Sequence, residues 1–240
     1  MTLDKVKHLL TVRTLLLMLL FLVPLGVQAQ DEETEYRMEW GVGFGTSFGL
    51  TDVNSKFFGG SHVAGELLAR FPLNPRMAIK AQLGVGGLRG NTVNIDNFYP
   101  PDPNVSGPTT LQYTCKGAIF DLSALYELHF LPYGFQRDFR EFKRISPYIQ
   151  MGLGLTYGTP GNAFTLNIPI GAGVKFKVSR RVNLGLEWRI HFTPSDKLDG
   201  LNAPLGIKSG GFRNKDHYSF TQFTITYDLS PRCPTCNRDE

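Results

Sequence analysis

The stretch Trp40–Leu50, WGVGFGTSFGL, decides the fold. Trp40, Val42, Phe44, Thr46, Phe48 and Leu50 alternate with Gly41, Gly43, Gly45, Ser47 and Gly49. A period of two is a strand, with successive side chains on opposite faces. One face here is bulky and apolar, and the other is nearly bare.

The same rhythm returns along the chain. In Arg181–Phe192 (RVNLGLEWRIHF), Val182, Leu184, Leu186, Trp188, Ile190 and Phe192 oppose Asn183, Gly185, Glu187, Arg189 and His191. Lys116–Phe130, Phe164–Phe176 and Phe223–Leu229 alternate likewise, and 61–71, 77–87 and 147–157 are compatible. That makes eight strands of about ten residues, the length that crosses a bilayer when tilted. A soluble β-sandwich also alternates, but its second face carries Lys and Glu for water. Here that face is rich in Gly with a few charges of both signs, and the strands end in aromatics. The sequence therefore predicts an all-β, eight-stranded antiparallel transmembrane β-barrel of the outer-membrane type, with lipid-facing aromatics and a tight interior.

Ahead of the barrel, Lys5, Lys7 and Arg13 precede the apolar run Leu15–Val23, and VQA ends at Ala29. That is the pattern of a secretory signal peptide over 1–29; an uncleaved anchor helix is the alternative. The expected organisation is then a lead-in over 30–39, the barrel over 40–229 and a tail over 230–240. Formal net charge is +4 for the 240 residues, and loss of the leader brings the remainder near neutral. Nothing in that balance asks for nucleic acid.

An even strand count with both termini in the periplasm puts loops 51–60, 89–112, 158–162 and 193–214 outside. The connection 131–146 is oversized for a periplasmic turn. Its Tyr133, Phe135, Phe139 and Phe142 stand among Arg137, Arg140, Lys143 and Arg144, a composition that favours a partner-docking surface. The alternative is an amphipathic turn lying on the leaflet.

The interior face collects Glu66, Arg70, Lys80, Asp121, Glu127, Lys175, Glu187 and Arg189, which read as a salt-bridged plug because buried charges must pair. Eight strands leave little room for a gated ion path. His129 and His191 share that face, and no spacing has the pattern of a zinc site. His217 and Ser219 share the outward parity of Phe223, a His-x-Ser pair similar to that of lipid A deacylase barrels. Cys233 and Cys236 form a C-x-x-C in the tail with no βαβ unit around it. In an oxidising compartment its alternatives are a local disulfide or a mixed disulfide with a partner. Cys115 falls at the far end of the fourth strand, out of reach of the tail.

FDLSALYELHFLPYG (120–134), SPYIQMGLGLTYG (146–158), IPIGAGVKFKVSRRVNLGLEWRIHFTPSDKLDG (168–200), NKDHYSFTQFTITYDL (214–229) and CPTCN (233–237) together resemble the PorG-like outer-membrane barrels of Bacteroidetes. SDKLDG, Ser195–Gly200, departs from the more acidic piece usual at that place. The resemblance implies a non-enzymatic barrel of the type IX secretion machinery, which in gliding species serves motility. It implies contact with a periplasmic ring lipoprotein and its partner subunit, without cofactor or small-molecule substrate. Binding partners otherwise reduce to outer-membrane lipid. The alternatives are a structural or adhesion barrel binding through its outer loops, and a lipid A-modifying barrel enzyme.

Overall fold

A computed structural model of the chain describes residues 34–54, 56–92, 112–134, 142–201 and 215–232. Eight strands account for most of them: β1 (Tyr36–Leu50), β2 (His62–Asn74), β3 (Met77–Asn91), β4 (Thr114–His129), β5 (Ile145–Gly158), β6 (Ala163–Lys177), β7 (Val182–Phe192) and β8 (His217–Pro231). Each pairs antiparallel with its neighbours in sequence, and β1 pairs with β8, from Tyr36↔Pro231 to Leu50↔His217. The ring is closed and has no free edge, so the strands bond their backbone groups to neighbours all round the sheet, as lipid requires.

Alternation sorts the side chains. Trp40, Val42 and Phe44 of β1, Leu122 of β4, Leu153 of β5, Leu166 of β6 and Leu186 of β7 point outward. Leu153 and Leu166 are 69 % and 65 % exposed. A continuous belt of this kind would be an aggregation surface in water and is the lipid face of a membrane barrel. Phe44 and Phe223, opposite each other across the β1–β8 seam, pack with ring centroids 5.4 Å apart. Phe48 shares the outward parity yet is fully buried, because the β1–β2 loop folds Phe57 and Phe58 over it.

Glycines on the inner face make room for what lies opposite. A Cβ at Gly43 would stand 2.6 Å from Glu66 Cγ, and one at Gly173 would stand 2.7 Å from the Tyr148 ring. Tyr148 is 1 % exposed and fills the space that Gly173 leaves. Overpacking such a site costs about 1–3 kcal/mol. Gly173→Ala is therefore expected to lose unfolding free energy of that order, seen as a lower urea midpoint for loss of the compact band on an unheated gel.

The barrel begins earlier and ends later than the alternation indicates. β1 starts at Tyr36 rather than Trp40, and β8 runs to Pro231 rather than Leu229. TEYRME gives no apolar alternation, yet its backbone pairs with the end of β8, and that brings Glu39 into the lumen. The β2–β3 turn is tight, at Pro75–Arg76. Asn74 pairs with Met77 across a register shift, and Asn74 Oδ1 accepts the Arg76 N–H at 2.8 Å. The end that carries the termini thus has two tight turns, Pro75–Arg76 and Val178–Arg181, and one long connection, 130–144. The long loops gather at the other end.

Candidate functional site

The lumen is filled by charge. Six carboxylates (Glu39, Glu66, Asp121, Glu127, Glu187, Asp228) face five cations (Arg70, Lys80, Lys175, Lys177, Arg189), every one of them buried. Arg70 of β2 sends each guanidinium nitrogen to a different acid: Nε to Glu127 at 2.6 Å, Nη1 to Glu39 and Nη2 to Glu187, both at 3.0 Å. Glu187 of β7 takes Arg70, Lys80 and Arg189 together, while Arg189 also reaches Glu66 and the Gln222 side chain. Lys175 closes on Glu39 at 2.5 Å.

A second layer surrounds Asp121, which accepts from Gln82, Ser123, Asn167 and Tyr218 and lies 3.3 Å from His191 Nδ1. His191 stacks on Tyr218 at 4.4 Å. Beyond it, Phe220, Leu88, Val53, Cys115 and Leu198 form an apolar cluster that closes the loop-side mouth. Cys115 is free and buried there.

The structure places Glu66, Arg70, Lys80, Asp121, Glu127, Lys175, Glu187 and Arg189 within this lumen. Glu39 belongs to the same network and was hidden in the sequence by the missing alternation before Trp40. Asn183 was legible only as a polar residue of the right parity. It donates to Asp228 at 2.9 Å and to Glu39 at 3.2 Å.

At the end where β1 starts and β8 finishes, Tyr133 of the β4–β5 connection caps the lumen. Tyr133 turns inward: its hydroxyl donates to Asn183 Oδ1 at 2.7 Å, its ring lies 4.4 Å from Lys175 Nζ, and it stacks on His129. Backbone bonds hold the lid, with the Tyr133 N–H on Pro75 O at 2.9 Å and the Lys143 N–H on Pro132 O at 2.8 Å. Tyr133 thus occupies the barrel mouth and is not part of an outward docking face. Lys143 and Arg144 are exposed and Phe142 is half-buried. Phe135, Arg137, Phe139 and Arg140 lie outside the described residues, as do Cys233 and Cys236.

The rim around this lid is basic. Arg37, Arg76, Arg144, Arg180 and Arg181 are exposed. Arg180, Arg181 and Arg232 line a cleft of about 720 Å³ with Tyr36 and Tyr227. Arg181 donates to the Tyr227 hydroxyl at 3.3 Å.

The His-x-Ser pair does not form a nucleophile and its base. Ser219 is fully buried, donates to the Arg189 carbonyl at 2.8 Å and accepts from Trp188 Nε1 at 2.9 Å. His217 Nδ1 accepts the Thr193 N–H at 3.2 Å. Outward parity predicted lipid access for Ser219, and the Trp188 indole on the neighbouring strand removes it.

At the loop end, Asp216 Oδ2 receives the N–H groups of Leu198 at 2.8 Å and Asp199 at 3.4 Å, fixing the β7–β8 loop over the mouth. Burial, then the nearby Asp199 charge, pushes the Asp216 carboxyl from an ordinary 3.8 up to about 8. Burial likewise raises Asp199 to about 6. Both values are higher folded than unfolded, so the closed loop holds its protons. Its stability is full below about pH 4 and declines as pH rises through 6 and 8. Asp216→Asn keeps the accepting oxygen and removes the charge. Hydrogen exchange at Leu198 and Asp199 is expected to be slower in this variant than in the parent above pH 8, and the two are expected to converge near pH 4.

Closed topology, an apolar outer belt and a charged, filled lumen define a small outer-membrane-type β-barrel. The family described as a domain of unknown function (DUF6089) matches residues 12–238, and the chain belongs to it. No curated protein matches the sequence. Among solved structures, the chain is similar to Neisserial surface protein A (10 % identity, 82 % of this chain and 100 % of that one, TM-score 0.49). It is also similar to Ail of Yersinia pestis, solved with the heparin analogue sucrose octasulfate (12 % identity, 82 % and 100 % coverage, TM-score 0.44). The outer membrane enzyme PagL is a third (13 % identity, 80 % and 99 % coverage, TM-score 0.35). Identities this low carry no activity across to this chain.

Proposed function

We propose that the protein is a non-enzymatic outer-membrane anchor, with both termini in the periplasm, that holds a periplasmic assembly through the end carrying its termini. The observation that carries this reading is the long connection 130–144. It is stapled into the barrel mouth through Tyr133, while Lys143 and Arg144 remain exposed beside a rim of further arginines. A tight turn would close this hairpin, and the residues beyond those that cap the mouth are more chain than the hairpin needs. A filled lumen offers no route for solute, which leaves the two ends and the lipid face as the working surfaces.

The resemblance to PorG-like barrels supports a specific partner: the ring lipoprotein of the type IX secretion machinery and its companion subunit. Arginines and aromatics suit a docking surface, since both are enriched at interface centres. Cys233 and Cys236 follow β8 in the sequence, and in this reading they add a redox-dependent contact.

The test is purification of the full tagged chain from its native outer membrane in mild detergent, with bands resolved on reducing and non-reducing gels. Co-purification of a periplasmic lipoprotein and a second subunit, with a band that shifts when Cys233 or Cys236 is replaced by Ser, is the expected result. A barrel that emerges alone after chemical cross-linking contradicts the reading.

A further inference from the structure

The opposite end of the barrel carries an arrangement that the anchoring reading does not use. Arg89 of β3 and Lys116 of β4 are directly opposed in the ladder, and both side chains face outward and are exposed. Like charges in that position repel and destabilise a sheet. Lys56 of the β1–β2 loop joins them in lining a cleft of about 400 Å³, together with Asn54, Asn91 and Thr114. Among the described residues no carboxylate lines the cleft, and none of the three cations has an ion pair. A barrel that pairs its buried charges so closely gives these three rim cations, among the described residues, no ion pair.

The cleft stands at the top of an outward ladder that leads down to the lipid face, with the His62 side chain lying over Gly87 between them. Below Arg89↔Lys116, the same outward ladder continues through Gly87↔Ala118 to Val85↔Phe120 and Leu83↔Leu122. Val85, Phe120, Leu83 and Leu122 are all exposed. At about 3.3 Å per residue, Arg89 to Leu83 spans roughly 20 Å, enough to cover one leaflet's ~15 Å of hydrocarbon. Cations at the top of an apolar track match an amphiphile with an anionic head. Phosphate oxygens suit both the planar guanidinium fork and the lysine point charges.

We propose that Lys56, Arg89 and Lys116 bind the phosphate of a membrane-lipid headgroup, with the acyl chains lying along the Val85/Phe120 and Leu83/Leu122 pairs. In the orientation proposed above, this is the outer leaflet, and the ligand is a phosphorylated glycolipid. The bound phosphate neutralises the repulsion between Arg89 and Lys116, so the lipid stabilises the rim it occupies.

The experiment uses the full folded chain in detergent, with bis-phosphorylated lipid A as probe, native mass spectrometry to count retained lipid, and thermal melting as second readout. The double variant Arg89→Gln, Lys116→Gln is expected to retain at least about tenfold less lipid, equivalent to losing ~1.4 kcal/mol of binding. Without lipid it is expected to melt above the parent, because the opposed cations are gone; with lipid the order reverses. The proposal is overturned if the double variant retains as much lipid as the parent. Equal retention of the same lipid stripped of its phosphates would assign the binding to the apolar track alone. Displacement of the lipid by inorganic phosphate at equal concentration would make the cleft a site for free anions. None of these results depends on whether the other end holds a periplasmic partner.

Discussion

Glu187→Ala is expected to cost the barrel about 3–5 kcal/mol of unfolding free energy, because it removes the one carboxylate that three buried cations share and leaves Arg70 on Glu39 and Glu127, and Lys80 and Arg189 on Glu66 alone. Glu187 faces Arg70, Lys80 and Arg189 at once, and all four side chains are almost wholly shielded from solvent. Removing one partner of a buried pair is far more damaging than replacing the whole set with apolar groups, since the remaining charges lose their solvation on both sides. Urea titration of the folded chain in bicelles reads the effect directly. Glu187→Gln, which keeps the shape and some of the hydrogen bonding, is expected to fall between the parent and the alanine variant. An unchanged midpoint for Glu187→Ala would mean that the three cations do not depend on Glu187, and the account of it as their shared partner would fail.

The second large effect is at the lid. Tyr133→Ala removes a ring seated between Lys175 and His129 together with the hydroxyl bond to Asn183. Loss of a packed aromatic side chain and its hydrogen bond at a half-buried site costs about 2–3 kcal/mol. Tyr133→Phe isolates the hydroxyl and is expected to cost about 1 kcal/mol. Stability alone would not distinguish a lid from any other packed residue. The distinguishing readout is access: Lys175 and Lys177, both 4 % exposed in the intact barrel, should become labelled by a small water-soluble amine reagent in Tyr133→Ala. Labelling confined to surface lysines in both proteins would show that Tyr133 does not close the mouth.

Much of this architecture is legible in the sequence because a barrel wall is a strictly alternating object. Trp40, Val42 and Phe44, or Leu184, Leu186 and Trp188, announce one face by size, and the charges between them announce the other. The inner positions Glu66, Arg70, Asp121, Glu127, Glu187 and Arg189 follow from parity alone. Legibility stops where parity is overridden by tertiary contact. Phe48 and Ser219 have outward parity and are buried all the same, one under Phe57 and Phe58, the other against Trp188. Glu39 precedes the recognisable pattern, and only its pairing near the end of β8 puts it in the lumen. Tyr133 sits in a run of aromatics and arginines whose composition speaks for a surface. Which of those aromatics turns inward depends on Asn183, fifty residues away. Composition identifies the right segment there, and geometry assigns the individual side chains.

The anchoring role is tested most directly by replacing residues 135–141 with a Gly/Ser segment of equal length, which retains Tyr133, Lys143 and the backbone bonds between their strands. The parent and the variant, each confirmed as folded by its compact band, are purified from cross-linked native membranes and their partners are identified by mass spectrometry. Anchoring through this connection requires that the parent bring down a periplasmic lipoprotein with its companion subunit and that the variant bring down neither. Recovery of the same partners by the variant would contradict it.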